Sequence, residues 1–257
     1  MCPHPFDLDF ISSWDLFIIL GIIAAVALYI ALSIILKIDS FVMLKNLVLV
    51  LIASAAGFAS GVGFQALYDF MKYGAEVNAI KWEPAGGIGI TFLGGLFGGV
   101  AVFILLSILT KETKRDSFLK TLSIILASVT LAHALGRIGC FMAGCCYGIE
   151  SELFGMTFIS GASAGKKVLP TQLYESIALF VLLAAQIFII LRTQKSGVSI
   201  LTYLFGYAVF RFILEFFRGD YRGGADIFLS PTQVLCIIMT LVGTILLIMP
   251  RPRRTLI

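Results

Sequence analysis

Charged residues are scarce in this sequence. Only 13% of its 257 residues are Asp, Glu, Lys or Arg, whereas 59% are hydrophobic and the mean hydropathy is +1.01. Soluble domains are closer to half apolar and a quarter charged. A soluble fold of this size could not bury so much apolar surface. The composition therefore excludes a soluble protein and indicates that lipid surrounds much of the chain.

The sequence lacks three other features that would point to particular functions. It contains no basic tract with interleaved aromatic residues, so we expect no nucleic-acid partner. It contains neither an internal repeat nor a pair of broken helices, which argues against a transporter of small anions. Its first residues, MCPHPFDLDF, contain no Lys or Arg, so we expect no cleavable signal peptide.

Long apolar stretches dominate the rest of the chain, and a bilayer crossing takes about 20 such residues. Seven stretches qualify, near 15–36, 47–70, 86–109, 118–136, 173–191, 198–217 and 231–249. We therefore predict an all-α polytopic membrane protein with about seven transmembrane helices. It forms a single integral membrane domain over 1–257, with a loop region at about 137–172 over the outer face of the bundle.

Positive charges lie mainly on one side of these spans. The loops 37–46, 110–120 and 192–197 share a side with the tail 250–257, and together they carry eleven cations against three acids. The opposite side carries seven cations, many of them beside acids. The positive-inside rule therefore puts the C-terminus in the cytoplasm and the N-terminus outside.

Residues 133–148, HALGRIGCFMAGCCYG, bring a histidine, an arginine and three cysteines into an otherwise apolar chain. His133 and Arg137 are four residues apart, so they share one helix face. His133 is either a hydrogen-bonded core residue or a general base that accepts a proton as a neutral imidazole. The sequence leaves both interpretations open.

Charged side chains inside membrane spans are costly and usually functional. Glu175 opens the fifth predicted span, and Arg211 and Glu215 share a face of the sixth. Arg211 and Glu215 form either a structural salt bridge or an arginine that its glutamate orients towards a bound anion. By the predicted topology, Arg137 and Arg211 both lie near the outer leaflet, which favours the anionic headgroup of a membrane lipid as the ligand.

The cysteines of this segment, Cys140, Cys145 and Cys146, have four interpretations. They are free residues that pack as small apolar groups, partners in a disulfide on an oxidising side, metal ligands, or a reactive thiol that carries an acyl or glyceryl group. Metal binding has little support from the sequence, because the spacing fits no common zinc pattern and no fourth ligand is nearby. We therefore predict no metal and no cofactor.

Glycines are concentrated in residues 86–99, GGIGITFLGGLFGG. Small residues let membrane helices approach closely, so tight helix packing is one interpretation. The other is a backbone surface, including Gly94 and Gly95, that faces a lipid headgroup.

Five blocks resemble, in order, those of the bacterial prolipoprotein diacylglyceryl transferase family. They are FLGGLFGG (92–99), GRIGCFMAGCCYG (136–148), PTQLYES (170–176), RFILEFFR (211–218) and SPTQVL (230–235). The resemblance covers roughly residues 86–240. Each block alone is a weak match, but five in order indicate common ancestry.

The resemblance implies an activity in the bacterial cytoplasmic (inner) membrane. A transferase of this family moves the diacylglyceryl group of phosphatidylglycerol to the cysteine thiol in the signal-peptide lipobox of a prolipoprotein, and glycerol phosphate leaves. By resemblance, Arg137 and Arg211 bind the headgroup, and Glu215 accompanies the second arginine. The expected catalytic residues are His133, Arg137, Arg211 and Glu215. The expected headgroup-binding residues are Arg137, Arg211, Gly136, Gly139, Tyr147, Gln172, Tyr174, Glu175, Gly94 and Gly95.

Several positions depart from the family pattern. Leu93 stands where the family has a histidine, and Cys140, Ala143 and Cys145 stand where its signature has Asn, Asn and Glu. His133 is therefore the candidate base in place of the missing histidine. Two alternatives follow from the departures: a divergent paralogue with the same phospholipid site and another acceptor, and a non-catalytic protein that binds or transports membrane lipids.

Overall fold

A computed structural model of the chain describes residues 12–73, 92–110, 115–159, 161–219 and 229–248. The helices in these ranges are α1 (Ser13–Ile35), α2 (Ser40–Tyr73), α3 (Phe92–Leu109), α4 (Arg115–Met142), α5 (Thr171–Phe188), α6 (Ser196–Glu215) and α7 (Pro231–Ile248). A π-helical turn, Ile189–Thr193, extends α5. Strands β1 (Met156–Thr157) and β2 (Lys167–Val168) pair antiparallel. Both termini and residues 86–91 of the third predicted span lie outside the described residues.

The helices confirm the predicted class, an all-α polytopic membrane protein. Five segments in the described ranges are long and apolar enough to cross a bilayer: Ser13–Ile35, Ser40–Phe64, Phe118–Met142, Thr171–Thr193 and Ser196–Glu215. Two further apolar helical segments there are shorter, Gly98–Leu109 and Thr232–Ile248. Each of the seven helices in the described ranges overlaps one of the seven apolar stretches predicted from the sequence.

The chain divides into two compact units. The larger comprises described residues within Met1–Leu36 and Leu119–Ile257, and the smaller those within Lys37–Phe118. The single domain over 1–257 stays a prediction.

In the smaller unit, α2 and α3 pack through small residues. A Cβ added to Gly57 would lie 2.8 Å from the carbonyl oxygen of Gly95. Ser60 donates a hydrogen bond of 2.8 Å to the carbonyl of Gly94. Close helix packing therefore accounts for these glycines. A role of Gly94 and Gly95 in headgroup binding stays a prediction.

In the larger unit, α1 packs closely against α4. A capping box starts α1, because Ser12 and Asp15 each accept a hydrogen bond from the backbone N–H of the other. Further along α1, a Cβ on Gly21 would lie 3.1 Å from the carbonyl oxygen of Ala132. A Cβ on Gly139 would lie 3.0 Å from the Phe17 Cβ. Small residues thus bring the C-terminal half of α4 against α1.

Helix α4 ends later than the sequence suggested. The predicted outer loop begins at residue 137, whereas α4 continues through Met142 and stops at Gly144, which has a φ of +65°. The apolar residues 138–142 prolong the helix, and the glycine permits the left-handed conformation that ends it. Arg137 therefore belongs to a helix, and the connection to α5 runs over 143–170.

This connection is tied to the end of α6. Gly148 and Arg218 form an antiparallel bridge, and the N–H of Ile149 donates to the carbonyl of Phe217 at 2.9 Å. The N–H of Gly148 donates to the carbonyl of Leu169 at 2.8 Å, just before α5. The ends of α4 and α6 and the start of α5 consequently converge.

Candidate active site

A buried carboxylate lies where these three helices converge. Glu175, near the start of α5, is fully buried. Its Oε1 lies 3.1 Å from Arg137 Nη2 and 3.6 Å from Arg211 Nε. The hydroxyl of Tyr207 donates a hydrogen bond of 2.8 Å to the same oxygen. One carboxylate oxygen of α5 therefore joins side chains of α4 and α6.

Helical spacing explains why α6 supplies several of these groups. Tyr207, Arg211 and Glu215 are successive residues at a spacing of four, so they form one stripe along the helix. Arg211 Nη2 lies 2.8 Å from Glu215 Oε2. The arginine is thus held between Glu175 and Glu215, and its side chain is only 2% exposed.

The start of α7 fixes the second glutamate. Ser230 Oγ donates to Glu215 Oε1 at 2.9 Å. The backbone N–H of Ser230 donates to Gln233 Oε1 at 2.9 Å, and the N–H of Gln233 donates to Ser230 Oγ at 3.1 Å. This reciprocal pair is the capping box that the segment SPTQ encodes. Gln233 therefore affects the site indirectly. It holds Ser230 in the cap, and Ser230 holds Glu215.

Arg211 retains a donor beyond these contacts. A guanidinium carries five N–H donors, and among the described residues Arg211 Nη1 has no hydrogen-bond partner. Glu175 Oε2 likewise has no hydrogen-bond partner in the described part of the chain. The two carboxylates balance the two guanidinium charges, while the polar atoms left over can bind a further group.

His133 joins the same group from α4. Its Nε2 accepts a hydrogen bond of 3.3 Å from Arg137 Nε and lies 3.6 Å from Glu175 Oε1. Its ring meets the Tyr207 ring edge-on, with centroids 5.4 Å apart. Because Nε2 is the acceptor, the neutral ring carries its proton on Nδ1. His133 must release Arg137 before Nε2 can take a proton, and its role as a base stays a prediction.

The cysteine segment is anchored through its backbone. The carbonyls of Gly144, Cys145 and Cys146 each accept a side-chain hydrogen bond, respectively from Ser163, Gln172 and Thr171. Hydrogen bonds with Cys140 and Cys145 lower the pKa of the Cys146 thiol, and the cations Arg218 and Arg137 act in the same direction. The anchors turn the carbonyls of this segment towards the connection and α5.

Comparison with known proteins identifies the family of this chain. The sequence profile of the prolipoprotein diacylglyceryl transferases matches residues 6–249. The chain belongs to this family. The match confirms the resemblance read from the five blocks.

Three similar proteins carry the name phosphatidylglycerol–prolipoprotein diacylglyceryl transferase. One from Clostridium tetani is 35% identical over 61% of this chain and 62% of its own length. A second, numbered 2, from Clostridium perfringens is 34% identical over 63% of this chain and 62% of its own. One from Idiomarina loihiensis is 34% identical over 73% of this chain and 69% of its own. The chain thus spans about three fifths of the length of the two clostridial relatives it matches.

The other residues expected at the site lie in different surroundings. Gly136 and Gly139 face α1, where Ile18 and Phe17 are their neighbours. Gly94 and Gly95 belong to the smaller unit. The structure therefore brings together His133, Arg137, Glu175, Arg211 and Glu215. Headgroup binding by the four glycines stays a prediction.

Two aromatic residues of the expected set lie at the edge of the convergence. Tyr147 accepts a backbone hydrogen bond of 3.1 Å from Gly219. Tyr174 is 37% exposed and lines an apolar groove of about 360 Å³. The groove is also lined by Phe154, Leu169, Phe210, Ile213, Leu214 and Phe217.

Sequence reasoning missed Tyr207 and Ser230. Tyr207 precedes Arg211 by four residues, so the helical spacing that paired Arg211 with Glu215 could also have found it. Ser230 belongs to a block that was recognised, but its contact with Glu215 links two helices. No local pattern encodes such a contact.

Proposed function

We propose that this chain transfers the diacylglyceryl group of phosphatidylglycerol to the lipobox cysteine of a prolipoprotein, in the bacterial cytoplasmic membrane. Family membership and the names of the relatives support the reaction. The observation that carries the proposal is the pair of guanidinium groups, from α4 and α6, that meet at the buried Glu175. Such a pair suits the phosphodiester anion of a lipid headgroup.

The phosphate would bind to an N–H group of Arg211 that makes no other hydrogen bond among the described residues. Arg211 Nη1 supplies an N–H without a partner among the described residues, inside a region shielded from water. Glu175 and Glu215 hold the guanidinium plane of Arg211 in place before the lipid arrives. Preorganised donors of this kind stabilise charge that develops in a transition state, because they need no reorganisation during the reaction.

The reaction itself is a substitution at carbon. The acceptor sulfur forms a bond to the glyceryl carbon, the bond from that carbon to the phosphate oxygen breaks, and the thiol proton leaves. The electron pair of the broken bond goes to the phosphate oxygen, where Arg137 and Arg211 stabilise it. His133 takes the thiol proton at Nε2 once Arg137 has turned to the phosphate.

The apolar groove beside Tyr174 supports entry of the lipid from the bilayer. Its lining is almost entirely apolar, and it lies between the connection to α5 and the last turns of α6. An acyl chain in this groove would remain in an apolar environment while its headgroup reached the arginines. We further propose that the N-terminus is outside and the C-terminus cytoplasmic, so that the reaction occurs at the outer leaflet.

The test uses the full chain purified into phosphatidylglycerol vesicles with a lipobox peptide. We expect release of glycerol phosphate and a matching gain of peptide mass. Arg137→Ala and Arg211→Ala should each reduce turnover by at least about 100-fold, as loss of one transition-state donor does. Lys167→Ala, which removes an exposed cation from β2, is the matched control and should retain activity.

Two outcomes would contradict the proposal. Consumption of phosphatidylglycerol without a gain of peptide mass would indicate another acceptor. Lipid binding without release of glycerol phosphate, for any thiol offered, would indicate a protein that binds or moves lipid.

A further inference from the structure

Three cysteine sulfur atoms cluster at the end of α4. The Sγ atoms of Cys140, Cys145 and Cys146 all lie within 4.8 Å of one another, and the three residues are partly buried. None of the three is joined in a disulfide. Neither the arginine site nor the proposed transfer uses them.

The backbone is bent so that this cluster forms. The side chains of adjacent residues usually point in different directions. Here the backbone turns sharply, because Gly144 and Cys146 have φ values of +65° and +61°. A positive φ is uncommon outside glycine, and such strain persists only where the surroundings impose it. Here the hydrogen bonds that Ser163, Gln172 and Thr171 donate to three successive carbonyls hold the backbone in this conformation. The fold therefore holds two adjacent cysteines beside Cys140.

The spacing of the sulfur atoms suits a thiophilic metal ion. Zinc–sulfur bonds of about 2.3 Å put the sulfurs of a tetrahedral or trigonal site roughly 3.8–4.0 Å apart. The three sulfurs lie within 4.8 Å of one another, so small side-chain rotations would bring them to that separation. A disulfide would use two of the sulfurs and leave the third over, whereas a metal ion uses all three. Thiolate ligands select soft ions such as Zn²⁺ and Cu⁺ over Mg²⁺ or Ca²⁺.

Charge also favours a metal thiolate at this position. Three thiolates around a divalent ion leave one net negative charge. Arg218 interacts electrostatically with Cys146 and can balance it. In the described part of the chain, the group of possible ligands comprises these three residues, so no described residue fills the fourth position of a tetrahedral ion.

Contrary to the expectation of no metal from the sequence spacing, we propose that Cys140, Cys145 and Cys146 form a three-thiolate site for a thiophilic d¹⁰ ion of the Zn²⁺ class, with a fourth coordination position that no described residue fills. Binding releases the thiol protons to solvent. The ion joins the last turn of α4 to the turn that follows it. The site is independent of the proposed transfer, and its test does not use that activity.

The experiment titrates Cd²⁺ alone into the full chain, purified in detergent with reduced thiols and freed of reductant. We expect one Cd²⁺ per chain and the ultraviolet charge-transfer absorption of cadmium thiolate. Loss of a group that only supports a metal ligand costs about 10–100-fold in metal affinity, so loss of a ligand itself should cost more. Cys140→Ser, Cys145→Ser and Cys146→Ser should therefore each weaken binding by more than about 100-fold. Cys236→Ser, which changes a buried cysteine of α7, is the matched control and should bind as the unchanged protein does.

A second measurement on the unchanged protein guards against misfolded variants. Zn²⁺ should protect Cys140, Cys145 and Cys146 from alkylation, read by mass spectrometry of peptides, while the alkylation of Cys236 stays the same. Absence of the charge-transfer band would overturn the proposal. Equal affinity in Cys140→Ser and the unchanged protein, or alkylation of the three thiols at an unaltered rate, would do so as well.

Discussion

Glu175 connects the candidate site through a single oxygen atom. Its Oε1 contacts Arg137, Arg211 and Tyr207, and it lies in a side chain with no exposed surface. A buried cation without a counterion is far more costly than a paired one. The carboxylate therefore allows two guanidinium groups to remain close together in a region that excludes water.

Glu175→Gln should destabilise the protein strongly. The amide keeps the size of the side chain but removes the charge that offsets two guanidinium groups. Breaking a buried pair in this way costs about 3–5 kcal/mol of the free energy of unfolding. Thermal unfolding in detergent, followed by circular dichroism, measures the effect.

The matched control for this change is Glu152→Gln. Glu152 forms an ion pair of 3.1 Å with Lys167, but its side chain is 89% exposed. Exposed pairs contribute about 0–1 kcal/mol, so this variant should unfold close to the temperature of the unchanged protein. Equal melting temperatures for the two variants would show that Glu175 carries no special electrostatic role.

Tyr207 is the positioning residue for this carboxylate. Tyr207→Phe removes the hydroxyl that donates to Glu175 and keeps the ring. A hydrogen bond to a charged group contributes about 1.5–3 kcal/mol, so kcat of the proposed transfer should fall by about 10- to 100-fold. The KM for phosphatidylglycerol should stay the same, because Tyr207 acts on the lipid only through Glu175.

Tyr203→Phe is the control for the tyrosine. The Tyr203 ring stacks on Tyr207 with centroids 5.5 Å apart, so the same kind of change is made one helical turn away. This variant should keep its kcat. An equal loss in both variants, or a change in KM alone, would contradict the positioning role of Tyr207.

At the scale of the elements, the site depends on how the connection 143–170 meets α6. Gly148 lies at the centre of this meeting, since its backbone pairs with both the segment before α5 and the end of α6. A Cβ at this position would lie 2.6 Å from the carbonyl oxygen of Phe217 and 2.7 Å from the Leu169 Cβ. Only a glycine allows three backbone segments to approach so closely.

Gly148→Ala should therefore push these segments apart and destabilise the fold. Overpacking of this kind costs about 1–3 kcal/mol. The control is Gly197→Ala in the first turn of α6, where an added Cβ meets nothing within 4 Å. There alanine should be neutral or stabilise the helix by up to about 1 kcal/mol. Melting temperatures of the two variants in detergent provide the comparison, and unchanged stability of Gly148→Ala would refute the close approach.

Across the whole molecule, the sequence predicted the groups that share one helix. All seven helices were expected, and the pairs His133–Arg137 and Arg211–Glu215 followed from a spacing of four. The meeting of Arg137 and Arg211 at Glu175 was not predictable from local patterns, because it depends on how three helices rotate about their axes. In a bilayer both the lipid-facing and the packed side of a helix are apolar, so hydrophobic periodicity does not reveal that rotation.

The predicted orientation can be tested through two loops on opposite sides of the membrane. Gly165 lies in the connection 143–170, and an added Cβ there meets nothing within 4 Å. Gln194 and Lys195 join α5 to α6, on the side to which the predicted topology assigns eleven cations. Because the positive-inside rule assigns the cationic side to the cytoplasm, an alkaline phosphatase fused after Gly165 should be active. That enzyme needs disulfides, which form outside the cytoplasm. A fusion after Lys195 should be inactive, while a fluorescent protein at the same junction should fluoresce.

The reverse pattern would invert the topology and move Arg137 and Arg211 to the cytoplasmic leaflet. Activity at both junctions would require a different number of spans between them.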